Sequence, residues 1–577
     1  MQKYGELLKT LLKNRGIEKE EDANIFINPN YERDFLDPFL MRDMERACIR
    51  IFEAIKTQEK IIIYTDYDCD GIPGAVILHD LFEKIGYKNY EVYIPQRNSE
   101  GYGLNMSAIE EFIKNGVELL ITVDLGITAV DEVAYAKANG IDTIITDHHI
   151  PHKELPCAFA ILNPKTDDYP EKMLCGAGVV FKLVQAFVKK YGEYFNDKRA
   201  GENFLSVELT TFRQSSTAKF SPALYNGWEK WTLDMAGLAT LSDMVPLIGE
   251  NRAMAYFGMK VLKKSPRVGL QKLLAKMKIE QKYLVEDDVG FMIAPRLNAA
   301  SRMDDPLRAY EFLATTDEVE GDMLATHLSK INDDRKLIVA SIMRDIKKKF
   351  ENKEIKDVIV LGNPKWKIGV LGLVAGKLVD EYKKTVFVWG KDENDCIKGS
   401  CRSSGTVSIV ELMTHTSDHF IEFGGHEFAG GFTVIPDKIH FLEDALVKSH
   451  TESTPIIKKE KLSAEIIGDF SLVNMKNWRE IEKLAPFGLG NPKPTFLFKN
   501  VKIENIKKFG KNGSGEHLEI TFSDISKNKT KGISFFSNEK SFDVPIIEGS
   551  KVDLLATFDL SRFRGREELR LRIIGIS

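Results

Sequence analysis

Between about residues 55 and 165, short unbroken apolar runs alternate with helical periodicity. Ile61-Ile62-Ile63-Tyr64, Leu119-Leu120-Ile121-Thr122-Val123 and Thr143-Ile144-Ile145-Thr146 are continuous rather than alternating. That is the pattern of parallel strands covered on both faces. Between them, Gly71 and Pro73 open a helix through Leu81, and Asn105 or Ser107 can cap another. From about Asp317 to Glu354 there is no proline and only Gly321 interrupts, while Leu324, Leu328, Ile331, Leu337, Ile338 and Ile342 recur among charges. This predicts one long, partly exposed helix joining two lobes. A second α/β unit comes next, with a strand at Asp357–Leu361 and a helix starting near Val370. From about 455 apolar and polar residues alternate between turn signals such as Lys511–Gly515, which predicts a small β-barrel. Ahead of all this, Leu7, Leu8, Leu11 and Leu12 form a short helical stripe, and Pro29 and Pro38 interrupt the stretch after it.

A chain of 577 residues is too long for one core and should form three or four domains. No apolar run approaches the ~18 residues of a membrane span, and Met1–Glu6 lacks a signal-peptide layout. None of the six cysteines forms a CxxC pair, which speaks against structural zinc and fits a reducing cytoplasm. The net charge of −5 does not advertise a polyanionic partner. Local charge is more telling: from Leu497 to Ser577, 15 Lys plus Arg face 11 Asp plus Glu, a surplus of +4. Residues 195–230, including Asn196–Glu202, are an inserted excursion to which the sequence assigns no role.

The chemistry lies where the apolar runs end. The first runs into Asp66-Tyr67-Asp68-Cys69-Asp70-Gly71, the second into Asp124, the third into Asp147-His148-His149. In a parallel sheet, functional groups gather at the carboxyl ends of the strands. So many carboxylates at one crevice repel each other unless cations lie between them. Oxygen-rich ligands with a minor imidazole share suit Mg²⁺ or Mn²⁺, and two such ions support phosphoester hydrolysis. Any single aspartate here could equally be a helix N-cap. The three segments together, with the paired histidines, favour metal.

These segments resemble the DHH phosphoesterase superfamily. Ile94-Pro95-Gln96-Arg97 with Glu100–Asn105 after it, Leu241–Leu247 and Pro295–Met303 resemble signatures of its RecJ branch, the bacterial single-strand exonucleases. Gly424–Gly431 is similar to the GGH loop of the accompanying DHHA1 domain, and Leu484–Pro492 to the lead into an oligonucleotide-binding (OB) barrel. The family expectation is therefore a leader at 1–50, a DHH domain at 51–315, a connecting helix at 316–354, a DHHA1 domain at 355–450 and an OB barrel at 455–577. Ser301 replaces the usual Gly, Lys367 the usual His, and Tyr64 stands where small-molecule members often carry a metal-binding His.

The expected ligands of the two ions are Asp66, Asp68, Asp70, Asp124, His148 and Asp243, with Asp124 bridging, partly by carry-over from the family. Asp243 could instead cap a turn, and family order favours ligation. The resemblance implies that His149 faces the scissile phosphate and that Asp147 orients a histidine. Phosphate calls for guanidinium forks and unobstructed backbone N–H groups, which nominates Arg97, Arg296, Arg302, Ser400, Arg402, Gly424, Gly425 and His426. For each arginine a solvated surface charge is the alternative, and for the glycine pair an ordinary turn. In the barrel Phe509, Phe535, Phe536 and Phe563 are interleaved with Lys507, Lys508, Arg562, Arg564 and Arg566; bases stack on such rings, and Phe563 is the expected exposed one.

The resemblance implies a 5′ to 3′ exonuclease on single-stranded DNA, monomeric, with single-strand-binding protein and a RecQ-type helicase as partners. Two readings compete. A phosphodiesterase acting on nanoRNA or cyclic dinucleotides would not require the barrel. A non-catalytic DNA-binding scaffold would be expected to have lost the acids that are all present here.

Overall fold

The computed structural model describes residues 3–97, 100–196, 224–351, 355–453, 464–510, 517–535, 537–542, 544–562 and 567–577. The chain divides into two compact units, one of residues 36–245 with 257–459, the other of residues 1–35, 246–256 and 460–577.

The larger unit opens on a five-stranded sheet of β1 (Ile61–Thr65), β2 (Tyr90–Tyr93), β3 (Leu119–Val123), β4 (Asp142–Thr146) and β5 (Ala160–Leu162). Its order is β2-β1-β3-β4-β5, and every pairing is parallel. All five residues of β1 and of β3 are buried, as their unbroken apolar runs require. Thr65 lies opposite Val123, and Val123 opposite Thr146, so the three strands end flush. The next residue of each strand still holds its neighbour: Asp66 N donates to Val123 O at 3.1 Å and Asp124 N to Thr146 O at 2.9 Å. Of the two candidate caps for helix Met106–Lys114, Asn105 takes the position, accepting from Ala108 N at 2.8 Å.

The long helix runs from Glu318 to Phe350, and the Asp317 carboxylate accepts the N–H groups of Val319 and Glu320. It packs on helices Val268–Met277, Ala294–Met303 and Leu307–Ala314. Its second half, through Val339, Ile342, Met343 and Ile346, shares a core with Trp366, Val370, Leu371 and Val374 of the second lobe. That lobe's sheet runs β6-β7-β8-β10-β9, from β6 (Val358–Gly362), β7 (Thr385–Lys391), β8 (Ile397–Arg402), β9 (Phe420–His426) and β10 (Ala429–Val434). The expected two α/β lobes joined by a helix are both present.

The smaller unit is built on β11 (Ile466–Gly468), β12 (Phe496–Phe509), β13 (His517–Ser523), β14 (Lys529–Phe535), β15 (Lys551–Ser561) and β16 (Glu568–Ile576). A β12–β15 pairing closes the sheet into the expected barrel. The sequence pattern sets residues 1–50 apart and runs one domain unbroken from 51 to 315, and the packing departs from that. Leu8, Leu11 and Leu12 sit in one core with Phe496, Phe498 and Leu554, because a one-stripe helix cannot bury its apolar face alone. Arg15 donates to Glu465 and Asn491 at 2.8 and 2.9 Å. Within residues 246–256, the Arg252 guanidinium lies 3.8 Å from the Phe26 ring centre and donates to the carbonyls of Ala485 and Pro486.

Most of the 195–230 excursion and the Lys511–Gly515 turn lie outside the described residues. Among the described residues, no helix is long and apolar enough to cross a membrane.

Candidate metal centre

Flush strand ends bring the predicted acids to one place. Three groups of donor atoms lie within 4.8 Å of one another: Asp66, Asp68 and Asp124; Asp124, His148 and His149; Asp70, His148 and Asp243. Asp124 joins the first group to the second, and His148 the second to the third. Asp124 leaves the central strand with φ +61°, a left-handed conformation that aspartate tolerates. Its carboxylate lies against the start of helix Gly176–Asn196, where a Cβ on Gly176 would come within 2.6 Å of Asp124 Cβ and Oδ1. Only glycine fits there. The same helix start fixes Asp70, whose two oxygens accept Gly176 N at 2.6 Å and Ala177 N at 2.7 Å. Asp68 Oδ1 accepts from Asp70 N at 2.8 Å. Asp243 ends helix Leu233–Ser242, and the Ser242 hydroxyl anchors that end to the Cys69 carbonyl at 2.9 Å.

Electrostatics favours cations between these groups. Burial first, and then the neighbouring acids, pushes the Asp70 carboxyl up to about 7 and that of Asp243 up to about 8. Asp66 and Asp124 are raised well above the carboxylate range for the same reasons. Asp66 Oδ1 and Asp124 Oδ1 are buried with no hydrogen-bond partner. Burial and the adjacent His149 lower the His148 pKa to about 3, so the ring is neutral. Its Nε2 stands 3.2, 3.7 and 3.9 Å from oxygens of Asp124, Asp70 and Asp243. With a neutral ring these are not ion pairs. The ring bonds to the Leu174 carbonyl, which fixes the tautomer and leaves the Nε2 lone pair facing the acids. Orphaned oxygens and an imidazole lone pair converging at a few ångströms fit hard divalent cations.

His149 is held differently. Asp147 Oδ1 accepts its Nδ1 at 2.8 Å and the backbone N–H groups of His148 and His149 at 2.7 and 3.0 Å, while Oδ2 accepts Ile127 N at 2.9 Å. Burial pulls the His149 pKa down, but the Asp147 hydrogen bond and charge outweigh it and raise the pKa. Its side chain is 33% exposed, so it borders solvent as well as the acids.

Arg97 stacks on Tyr67 at 5.0 Å and its charge is felt at Asp66. Arg302 donates to Gly369 O at 3.2 Å and interacts with Asp68. Arg296 donates to Met292 O at 2.6 Å. In the second lobe, Arg402 donates to Ser400 Oγ at 3.2 Å, and both face the start of helix Leu371–Tyr382 beside Gly372. Gly424-Gly425-His426 is not a loop: it ends strand β9, exposed and paired with β10, and a Cβ on Gly425 would lie 2.3 Å from Ala429 O. Among the described residues no contact carries these three to the carboxylates. Tyr64 is not a ligand either, since its buried hydroxyl donates to Gly103 O and accepts from Asn105, each at 2.9 Å. Phe536, Phe563, Arg564 and Arg566 lie outside the described residues.

Four participants escape a reading of the sequence. Asn298 Oδ1 accepts Cys69 N at 2.8 Å, locking the first acidic loop. The Tyr102 hydroxyl lies 3.4 Å from His149 Nδ1. Both lie inside motif segments already singled out, so the signal is present without a role. Lys165, which donates to the His148 carbonyl, carries no pattern. Gly176 is visible only as a small residue ahead of an apolar helix.

Residues 60–207 match the profile of the DHH family N-terminal domain, 355–449 that of the DHHA1 domain and 466–575 that of the RecJ OB domain. The Bacillus subtilis single-stranded-DNA-specific exonuclease RecJ is 33% identical over 575 residues, covering 98% of this chain and 67% of that protein. The Haemophilus influenzae protein of the same name is 30% identical over 564 residues, covering 94% and 92%. A crystal structure of RecJ from Thermus thermophilus in complex with Mn²⁺ superposes with a TM-score of 0.77 at 24% identity, over 99% of this chain and 76% of that one, and so shares the fold. A second, of exonuclease RecJ bound to manganese, gives 0.59 at 28% identity over 72% of this chain and 96% of that one. With all three domains matched in order and the identity sustained from end to end, this chain belongs to the RecJ family.

Proposed function

We propose that this chain is a divalent-metal-dependent exonuclease that hydrolyses phosphodiester bonds of single-stranded DNA. The observation that carries this is the set of three donor groups interlocked through Asp124 and His148. Asp66, Asp68 and Asp124 would hold one Mn²⁺ or Mg²⁺, and Asp70, Asp124, His148 and Asp243 the other. A pair of such ions supplies an activated water and charge neutralisation at the scissile phosphate.

The chain's own residues do the rest. His149, oriented by Asp147, whose hydrogen bond and charge favour its protonated form, offers a positive N–H to a phosphate oxygen or a proton to the departing one. Arg97 and Arg302 stand beside the acids as cationic grips. Ser400, Arg402 and the adjoining helix start supply donors for a further phosphate. In the barrel, the rings of Phe509, His517 and Phe535 succeed one another at 5.1 and 5.5 Å, with Arg570 and Arg572 over Phe535. Bases stack on such a face while cations hold the backbone.

In this reading residues 51–315, 355–450 and 455–577 are the DHH, DHHA1 and OB domains, removal runs 5′ to 3′, and the enzyme works as a cytoplasmic monomer. Single-strand-binding protein and a RecQ-type helicase are its proposed partners. Single- and double-stranded oligonucleotides labelled at either end, incubated with Mn²⁺ or Mg²⁺, test the core of it. Mononucleotide release from single strands is expected; equal attack on blunt duplex, or none with either metal, refutes it.

A further inference from the structure

Helix Ala294–Met303 packs along the long helix, and an unassigned guanidinium, that of Arg335, stands on that side. Five arginines are linked by mutual repulsion. Arg402 feels Arg97, Arg302 feels Arg97 and Arg335, and Arg335 feels Arg296. Burial first, then these neighbours, lowers the pKa of Arg402 and Arg335 and brings that of Arg302 down to about 10. Among the described residues none of the five is ion-paired to a carboxylate. Asp333 and Asp334 precede Arg335 on its helix; Asp333 attracts Arg335 and Arg296 from a distance but pairs directly with Lys336 at 3.2 Å. Arg335 and Arg296 are half-buried, and each has a buried Nε with no acceptor.

A helix-surface arginine normally extends into water or pairs with an acid; Arg335 is half-buried and, among the described residues, pairs with none. Row after row of unpaired guanidinium groups destabilises a folded chain unless an anion with several charges completes it. The order of the contacts gives that anion a direction. Arg402 lies in the second lobe, Arg302 feels Asp68 of the metal centre and also Arg335, and Arg335 in turn feels Arg296 on the neighbouring helix. Only an extended polyanion touches all of these at once, and a planar fork suits phosphate oxygens.

We propose that Arg335, together with Arg296, forms a phosphate-binding site for the backbone of the bound strand on the long-helix side of the metal centre. This rests on the exonuclease reading and adds a second grip to it, away from Ser400 and Arg402. A strand long enough to span from the metals to the long helix uses the site, and a dinucleotide does not.

The test compares wild type with Arg335→Gln, Arg335→Lys and the neighbouring control Lys336→Gln on a single-stranded 12-mer and a dinucleotide. Arg335→Gln should raise KM on the 12-mer about tenfold with kcat within twofold, leave the dinucleotide unchanged, and flatten the log–log salt dependence by about 0.7, one phosphate's share. Its thermal midpoint should hold or rise, because a repelling charge has gone. Arg335→Lys should keep the salt slope yet retain most of the KM increase, because it keeps charge without the fork. Lys336→Gln should change none of these. An unchanged KM, or equal losses on both substrates with a lower thermal midpoint, overturns the proposal. Failure of the exonuclease reading would show separately, as wild type that does not degrade the 12-mer.

Discussion

Asp147→Asn is the most informative single change, because Asp147 is buried, belongs to none of the three donor groups itself and yet commands His149. Its carboxylate is saturated: Oδ1 takes three N–H groups and Oδ2 takes Ile127 N. Asparagine preserves the shape but offers one oxygen. With that oxygen in the Oδ1 place, the new amide N–H₂ meets the Ile127 N–H donor to donor, leaving a buried donor unsatisfied at about 1–3 kcal/mol of stability. The second effect is chemical. The bond from the His149 ring to that oxygen survives but loses its charged acceptor, a difference of about 1–1.5 kcal/mol between charged and neutral hydrogen bonds, which should slow turnover by about 5- to 12-fold. The His149 pKa should also fall without the negative charge, so if the protonated ring works, the alkaline limb of the rate profile moves to lower pH. Single-turnover cleavage of a 5′-labelled 12-mer across pH, beside calorimetric Mn²⁺ titration, reads all of this. Turnover equal to wild type, or full rescue by excess Mn²⁺, would refute the argument that Asp147 acts through His149 alone.

His148→Ala should lower Mn²⁺ affinity and be partly rescued by high Mn²⁺, whereas His149→Ala should keep its metal and lose about 10²–10⁴-fold in turnover; the opposite pattern in paired Mn²⁺ titrations exchanges their roles. Gly176→Ala, which alters no donor atom, should displace the Asp124 carboxylate and cut Mn²⁺ affinity more than tenfold, since its Cβ would lie 2.6 Å from Asp124 Oδ1; a crystal structure with Asp124 unmoved would contradict this. In metal-stripped protein, Asp70 and Asp243 bind protons more tightly folded than unfolded, with folded values of about 7 and about 8. Apo stability should therefore fall as pH rises from about 4 to about 8, and saturating Mn²⁺ should remove that slope in denaturant titrations. Phe535→Ala should weaken binding of a long single strand by about 1–3 kcal/mol, with little effect on a dinucleotide, when both are compared by fluorescence anisotropy.

The acids of the site are legible in the sequence because their signal is local. An apolar run, an aspartate and a helix are contiguous, and parallel pairing places such ends side by side whatever else the chain does. Asp243 is less secure. It reaches the site from the end of a helix far along the chain, and only the resemblance tips it toward ligation. Gly424–His426 reads as a loop because two glycines usually mark a turn; pairing with β10 overrides that propensity. The union of Leu8, Leu11 and Leu12 with Phe496 has no local trace at all. Nothing in a leucine stripe says which surface, hundreds of residues away, will cover it. Gly176 is equally silent, since the reason for its missing side chain is a carboxylate on another strand.

Asp124 ends β3, which lies between β1, bearing Asp66, and β4, bearing His148 on the loop after it. Neighbouring strands are held about 4.8 Å apart by their hydrogen bonds. The spacing of the strand-end carboxylates that would hold the cations is therefore set by the backbone lattice and not by the lengths of flexible side chains. This also accounts for a regularity in the acids. Asp66, Asp68, Asp70 and Asp124, the acids on the strand ends and the loop directly after β1, are all aspartates, and not one is glutamate. A short carboxylate transmits the gauge of the sheet to the metals, whereas one more methylene would let the donor wander off it.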